Sequence, residues 1–258
     1  MKKNYCFTVN GIMRSTDQDK PLLRYLRDDL HLHSVKDGCS EGACGTCTIV
    51  VDGKAVKSCV LTTKLAAGKN IITTEGLTEE EKEAFVYAFG SKGSVQCGFC
   101  IPGMVMAGKA LIDRVPDPTE EEIKTALKGN ICRCPGYKNI IEGIQLAAAI
   151  LRGDEKIEAN LEKGDVYGVG KKAFRLDVRE KVLGYGEYPD DVEMDGMVYA
   201  SAVRSKYPRA RVIDIHCEKA LALPGVLDVL TADDVPNNKV GHLQQDWDVM
   251  IAKGSITR

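Results

Sequence analysis

The sequence predicts an α+β protein in three parts: a small mixed α/β unit, a four-helix unit and a further α/β unit. Three observations carry that reading. Eight of the ten cysteines fall into two compact sets, Cys39, Cys44, Cys47 and Cys59, then Cys97, Cys100, Cys132 and Cys134. The first set lies among short strand-like runs separated by Asn-Gly and Asp-Gly turns. The second lies among runs of helical period, two of them headed by capping-box signals.

Taken in order, residues 5–9 alternate around Phe7 and end at Asn10-Gly11, a hairpin signal. Residues 21–30, PLLRYLRDDL, set Leu22, Leu23, Leu26 and Leu30 at helical spacing with Pro21 near the first turn. Residues 48–51 and 54–60 are strand-like runs joined by Asp52-Gly53, and 71–74 is a further short strand. In the second part, Thr78 with Glu81 heads a helix bearing Phe85, Val86 and Phe89. Pro102 fits the first position of a helix with Met104, Gly108 and Leu111, and Met104 and Met106 read as helix core. Thr119 with Glu122 heads a helix ending near Gly129, and Ile140, Ile144, Ala147, Ala148 and Leu151 stripe a fourth.

The first set has the spacing C-x4-C-x2-C-x11-C, whose opening is the plant-type arrangement for a 2Fe-2S cluster. Gly38, Gly42, Ala43 and Gly45 let the backbone close around an inorganic core, with N–H groups free to reach its sulfurs. A structural zinc site is the competing reading, but such sites usually pair their ligands across a longer gap. The second set reads C-x2-C-x31-C-x1-C. Two helices begin just after its cysteine pairs and would aim their positive N-terminal ends at an anionic site. Spacing alone leaves iron–sulfur and four-cysteine zinc both open here.

Composition excludes other classes. The chain has 258 residues, 44% hydrophobic and 28% charged, and a net charge of −2, which gives no sign of a nucleic-acid or polybasic membrane partner. No run approaches the roughly 18 apolar residues of a membrane span, and MKKNYCFTVNG lacks the apolar run of a signal peptide. A cytoplasmic protein is expected, in which ten cysteines serve as metal ligands or redox groups rather than structural disulfides. His31, His33, His216 and His242 are scattered and read as solvated or packed side chains. Cys6 and Cys217 lie in strand-like runs and read as small buried hydrophobes.

Together, the first cysteine spacing, QCGFCIPGM at 96–104 and GNICRCPGY at 129–137 resemble the iron–sulfur portion of molybdenum hydroxylases, the xanthine dehydrogenase and aldehyde oxidoreductase family. The resemblance covers residues 1 to about 152. It implies a β-grasp, plant-type ferredoxin-like 2Fe-2S domain over 1–76 and a helical 2Fe-2S domain over 77–152. It also implies that Cys39, Cys44, Cys47 and Cys59 ligate an outer cluster, and that Cys97, Cys100, Cys132 and Cys134 ligate an inner one beside the pterin of a molybdenum cofactor. Gln96 matches the family glutamine that hydrogen-bonds that pterin, with Cys134 beside it. Ile101 and Pro135 stand where threonine is common; neither is a ligand.

Residues 153–176 are polar and glycine-bearing and read as a linker. Beyond them, 198–203, 212–215 and 226–230 are strand-like, and 218–223 is a short helix stopped by Pro224-Gly225. Residues 177–258 resemble the opening of the family's molybdenum-binding portion, its α/β hammerhead domain, with SKYPRA at 205–210 a loose match. The resemblance implies no catalytic residue in this chain. The molybdenum–pterin cofactor would be held mainly by another polypeptide or a further region, and FAD by a separate flavoprotein subunit, unless a soluble carrier accepts the electrons. Electrons would pass from the pterin through the inner cluster to the outer one. The substrate leans to the purine side, with an aldehyde as the alternative. A free-standing ferredoxin-like carrier is the reading from another class.

Overall fold

Phe7 and Val9 point to one face of the first strand and are buried there, at 1% and 2% exposed, against Leu22, Leu23, Tyr25 and Leu26. That pairing of a sheet with a short helical segment begins the fold. The computed structural model describes residues 4–134, 136–157 and 175–256. The chain divides into two compact units, Met1–Val192 and Glu193–Arg258.

The first unit starts with a five-stranded mixed sheet: β1 (Tyr5–Val9), β2 (Ile12–Thr16), β3 (Thr48–Val51), β4 (Lys54–Lys57) and β5 (Asn70–Ile72), ordered β2-β1-β5-β3-β4. β1 and β5 run parallel, and the other pairs are antiparallel. Both hairpins turn where expected. Asn10-Gly11 and Asp52-Gly53 have positive φ at both positions, as a type I′ turn requires. The expected helix over 21–30 is α1 (Leu22–Arg24) followed by a π turn, Tyr25–Asp29. The wider turn buries Tyr25, Leu26 and Arg27 together, and Tyr25 meets Phe7 edge-on at 5.4 Å.

The expected strand over 54–60 stops at Lys57, and Ser58–Val60 forms a 3-10 turn. The Ser58 N–H donates to the Cys47 carbonyl at 3.1 Å, which turns Cys59 out of the ladder and towards Cys47. β3 is buried on both faces: Ile49 and Val51 face the first core, and Val50 belongs to the helical one.

Helices α2 (Glu79–Ser91), α3 (Ile101–Ile112), α4 (Glu120–Leu127) and α5 (Tyr137–Arg152) build that second core. Both capping boxes form, at Thr78–Glu81 and Thr119–Glu122, and Gly153 ends α5 in the left-handed conformation. Met104 and Met106 are buried in the core. The expected linker falls mostly on residues outside those described. After it, α6 (Val178–Leu183) returns to the helical core, burying Val178, Val182 and Leu183.

The second unit carries a short helix, α7 (Glu218–Leu221), and a hairpin of β6 (Lys239–Val240) with β7 (Trp247–Asp248). The runs 198–203, 212–215 and 226–230, expected as strands, form none among the described residues. An isolated bridge pairs Arg211 with Ile256. A strand needs a neighbour to take up its backbone donors and acceptors, and here Tyr199 and Val203 are fully exposed.

Candidate metal centres

The first thiol loop is shaped by backbone that few side chains tolerate. Ser40, Gly42 and Gly45 all have positive φ, and a Cβ on Gly45 would lie 2.2 Å from the Gly129 carbonyl oxygen. The folded loop aims N–H groups inward. Those of Glu41 and Cys44 each donate to the Cys39 sulfur at 3.4 Å. These donors, Cys44 first, pull the Cys39 thiol down to about 7. Burial and the adjacent Cys47 thiol push Cys59 up to about 11.

Cys39 neighbours Cys44, and Cys59 neighbours Cys47. In the second set Cys97 neighbours Cys134 and Cys100 neighbours Cys132, with Cys134 also beside Cys132. Two thiolates on each of two irons is what a 2Fe-2S core takes. A structural zinc ion would take the same four thiolates around one point. In number and kind of donor, each set fits a dinuclear cluster. The meeting of Cys100 with Cys132 is not visible in the spacing.

Two helix starts frame the second site. Cys100 caps α3, with Pro102 in its first turn, and α5 begins at Tyr137, three residues after Cys134. Burial, then the neighbouring Cys132, raises the Cys100 thiol, while the backbone N–H of Cys97 holds Cys134 low. The Tyr137 hydroxyl accepts from the Cys132 N–H at 2.8 Å and donates to the Asn130 carbonyl at 3.1 Å, bracing the loop. Cys97, Cys100, Cys132, Cys134 and Gln96 line one small cavity. Gln96 is exposed at its mouth, with its amide over Gly136. Ile101 is the buried first residue of α3, and Pro135 lies outside the described residues.

The two thiol loops touch. The Ile131 N–H donates to the Cys44 carbonyl at 2.8 Å, and Ile131 precedes Cys132 in the chain. The Asn130 amide donates to the Gly45 carbonyl at 2.9 Å, and Lys57 Nζ donates to the Gly42 carbonyl at 2.7 Å. Gly103 of α3 leaves only enough room for the Thr46 carbonyl, which a Cβ would approach to 2.6 Å. Asn130 and Lys57 were not singled out from the sequence. Asn130 lies within GNICRC, but nothing local marks its partner 85 residues earlier.

The other singled-out residues lie elsewhere. His31 and His33 stack edge-on at 6.1 Å, and His216 stands 4.0 Å from Asp214. Cys6 is exposed rather than buried: it sits on the face of β1 opposite Phe7 and Val9. Cys217 is half-buried and caps α7 rather than lying in a strand. No helix among the described residues is long and apolar enough to cross a membrane.

Comparison with known proteins finds matches along the whole of the described chain. A family model described as a 2Fe-2S iron–sulfur cluster binding domain matches residues 7–73, and a second [2Fe-2S] binding domain matches 73–145. The a/b hammerhead domain of aldehyde oxidase and xanthine dehydrogenase matches 183–257. The nicotinate dehydrogenase small FeS subunit of Eubacterium barkeri is 46% identical over 142 residues, which is 54% of this chain and 90% of that protein. The aldehyde oxidoreductase of Megalodesulfovibrio gigas is 36% identical over 242 residues, 88% of this chain and 26% of that protein. The crystal structure of the aldehyde oxidoreductase from Desulfovibrio desulfuricans ATCC 27774 superposes with a TM-score of 0.88 at 30% identity, covering 99% of this chain and 30% of that one. The chain thus spans under a third of these aldehyde oxidoreductases and most of the small iron–sulfur subunit. It belongs to the xanthine dehydrogenase and aldehyde oxidoreductase family of molybdenum hydroxylases, of which it carries the two 2Fe-2S binding, electron-transferring domains and a hammerhead-domain region.

Proposed function

We propose that this chain relays electrons within a molybdenum-dependent hydroxylase, entering at the helical thiol site and leaving at the β-grasp site. The carrying observation is the hydrogen bond from the Ile131 N–H to the Cys44 carbonyl. It joins the backbone next to Cys132 directly to that of a thiol in the other set. When bound, each 2Fe-2S core takes up and releases one electron at a time. In this reading Cys39 with Cys44 and Cys47 with Cys59 hold one core, and Cys97 with Cys134 and Cys100 with Cys132 hold the other. Gln96, at the open mouth of the helical site, presents its amide to the pterin of a molybdenum cofactor held mainly outside these residues.

The partners in this reading are a molybdenum-binding catalytic polypeptide or region and a flavoprotein subunit or soluble acceptor. Ten free cysteines favour a reducing cytoplasm. The expected substrate was a purine. One observation favours the aldehyde alternative: the match to an aldehyde oxidoreductase runs for 242 residues, through the cluster domains and into the hammerhead region. Assaying the assembled enzyme with hypoxanthine and with benzaldehyde separates the two. Iron and acid-labile sulfide analysis tests the core of the proposal: four of each per chain are expected, and zinc without sulfide would sink it. Rapid mixing of the assembled enzyme with substrate should then reduce the helical cluster before the β-grasp one.

A further inference from the structure

The turn that follows α6 reaches back to both thiol loops. Tyr188 and Asp191 share one 3-10 turn, closed by the Tyr188 N–H donating to Asp191 Oδ2 at 3.2 Å. Asp191 is bound to Arg27 and Lys36 at 2.7 Å each, all three side chains buried, which anchors the turn on the β-grasp domain. Its other end lies on the helical site. The Tyr188 hydroxyl donates to the Cys97 carbonyl at 2.8 Å, its ring meets Phe99 edge-on at 5.0 Å, and Lys181 Nζ covers the ring at 4.2 Å. Before α6, the Arg175 guanidinium donates to the carbonyls of Val95 and Gln96, and Asp177 steadies it with a 2.9 Å bond.

Two side chains thus hold three successive carbonyls, those of Val95, Gln96 and Cys97. A trans peptide points its N–H opposite to its carbonyl. With the Gln96 carbonyl held by Arg175, the Cys97 N–H is turned away from Arg175, on the loop that lines the cavity of the four thiols. With the Cys97 carbonyl held by Tyr188, the Gly98 N–H is likewise turned from the tyrosine, at a glycine whose positive φ and close neighbours leave no room for a side chain. Hydrogen bonds to cluster sulfurs stabilise the reduced, more negative state and raise the potential.

We infer that Arg175 and Tyr188 are positioning residues for the helical cluster, aiming the backbone N–H groups of the Cys97 loop and so raising its reduction potential. The inference rests on the two-cluster reading. Neither residue lies in a cysteine motif, and both act through peptide planes rather than by touching the core.

The test uses the full chain with its clusters, in variants Tyr188→Phe, Arg175→Gln and Arg175→Lys. Iron and sulfide are assayed, and each cluster's midpoint is followed by paramagnetic resonance during redox titration. The signal of a Cys59→Ser chain identifies the helical cluster. Tyr188→Phe and Arg175→Gln should lower the helical midpoint and leave the β-grasp one in place, and Arg175→Lys should restore most of the shift. Unchanged helical midpoints at full iron, or equal shifts of both clusters, overturn the inference. If Arg175→Gln loses helical iron alone, recovery in Arg175→Lys supports the role, and failure to recover counts against it. Absence of iron and sulfide from the parent chain would instead overturn the two-cluster reading itself.

Discussion

Cys59 is the thiol most distant in sequence from the rest of its set, and the β3–β4 hairpin with the 3-10 turn at Ser58–Val60 brings it to Cys47. Cys59→Ser should therefore empty the β-grasp site and leave the helical one loaded. Iron should fall to half, with one paramagnetic signal surviving; loss of both signals would show that the sites do not load independently. Because metal binding contributes folding free energy, the loop should also lose protection from proteolysis. Gln96 has a different role. Its amide is exposed at the cavity mouth, so Gln96→Ala should keep both clusters while weakening molybdenum retention or slowing their reduction by substrate. The loss corresponds to one buried hydrogen bond in the complex, about 1–3 kcal/mol. Full molybdenum content together with parental reduction rates would remove Gln96 from the cofactor contact. Asp191 is structural. Burial alone would raise its carboxyl, but hydrogen bonds and charge from Lys36 and Arg27 hold it below the ordinary value. Its stabilisation is thus complete above the unfolded value of about 3.9 and is lost as pH falls through the lower folded one. Asp191→Asn removes the carboxylate that binds both buried cations, at a cost of about 3–5 kcal/mol near neutrality. Thermal melting should show that loss at pH 7 and a narrower gap between variant and parent in acid.

At the scale of elements, what was legible in the sequence was local. The capping boxes at Thr78 and Thr119, the Asn10-Gly11 and Asp52-Gly53 turns and the Gly153 stop depend on neighbours within a few residues, and all formed. The early end of β4, the π turn at Tyr25–Asp29 and the meeting of Cys100 with Cys132 were not legible. Each is set by partners far along the chain. The unformed strands over 198–230 illustrate the same limit, since β-branched runs specify a strand only where a neighbour completes it. Gly103 gives a prediction in which packing opposes propensity. It lies in α3, where alanine is favoured over glycine by about 1 kcal/mol. Its missing Cβ, however, admits the Thr46 carbonyl at the contact between the thiol loops. Gly103→Ala should lower the melting temperature and weaken magnetic coupling between the clusters, whereas Gly153→Ala should leave the coupling alone. A stabilised Gly103→Ala protein with parental coupling would show that α3 does not set the spacing of the two sites.

For the whole molecule, the question is what keeps two cluster domains in one frame. β3 contributes to both cores, and the Ile131–Cys44 hydrogen bond joins the loops. Residues 175–192 add a third tie, because they bury Val178, Val182 and Leu183 in the helical core and place Asp191 on the β-grasp side. Each such apolar side chain contributes about 1.5–3 kcal/mol on burial, partly offset by the entropy of ordering the segment. A chain ended after Val192 keeps all of these contacts, so its cluster domains should melt within a few degrees of the parent. A chain ended after Ile157 loses the three side chains and leaves Lys36 and Arg27 without Asp191. At about 2–4 °C per kcal/mol for a domain of this size, it should melt at least ten degrees lower. The shorter chain should also shift the helical cluster's midpoint, since Arg175 and Tyr188 leave with the segment. Equal melting temperatures and equal midpoints in the two truncations would mean that the tie between the domains resides in β3 and the loop contact alone.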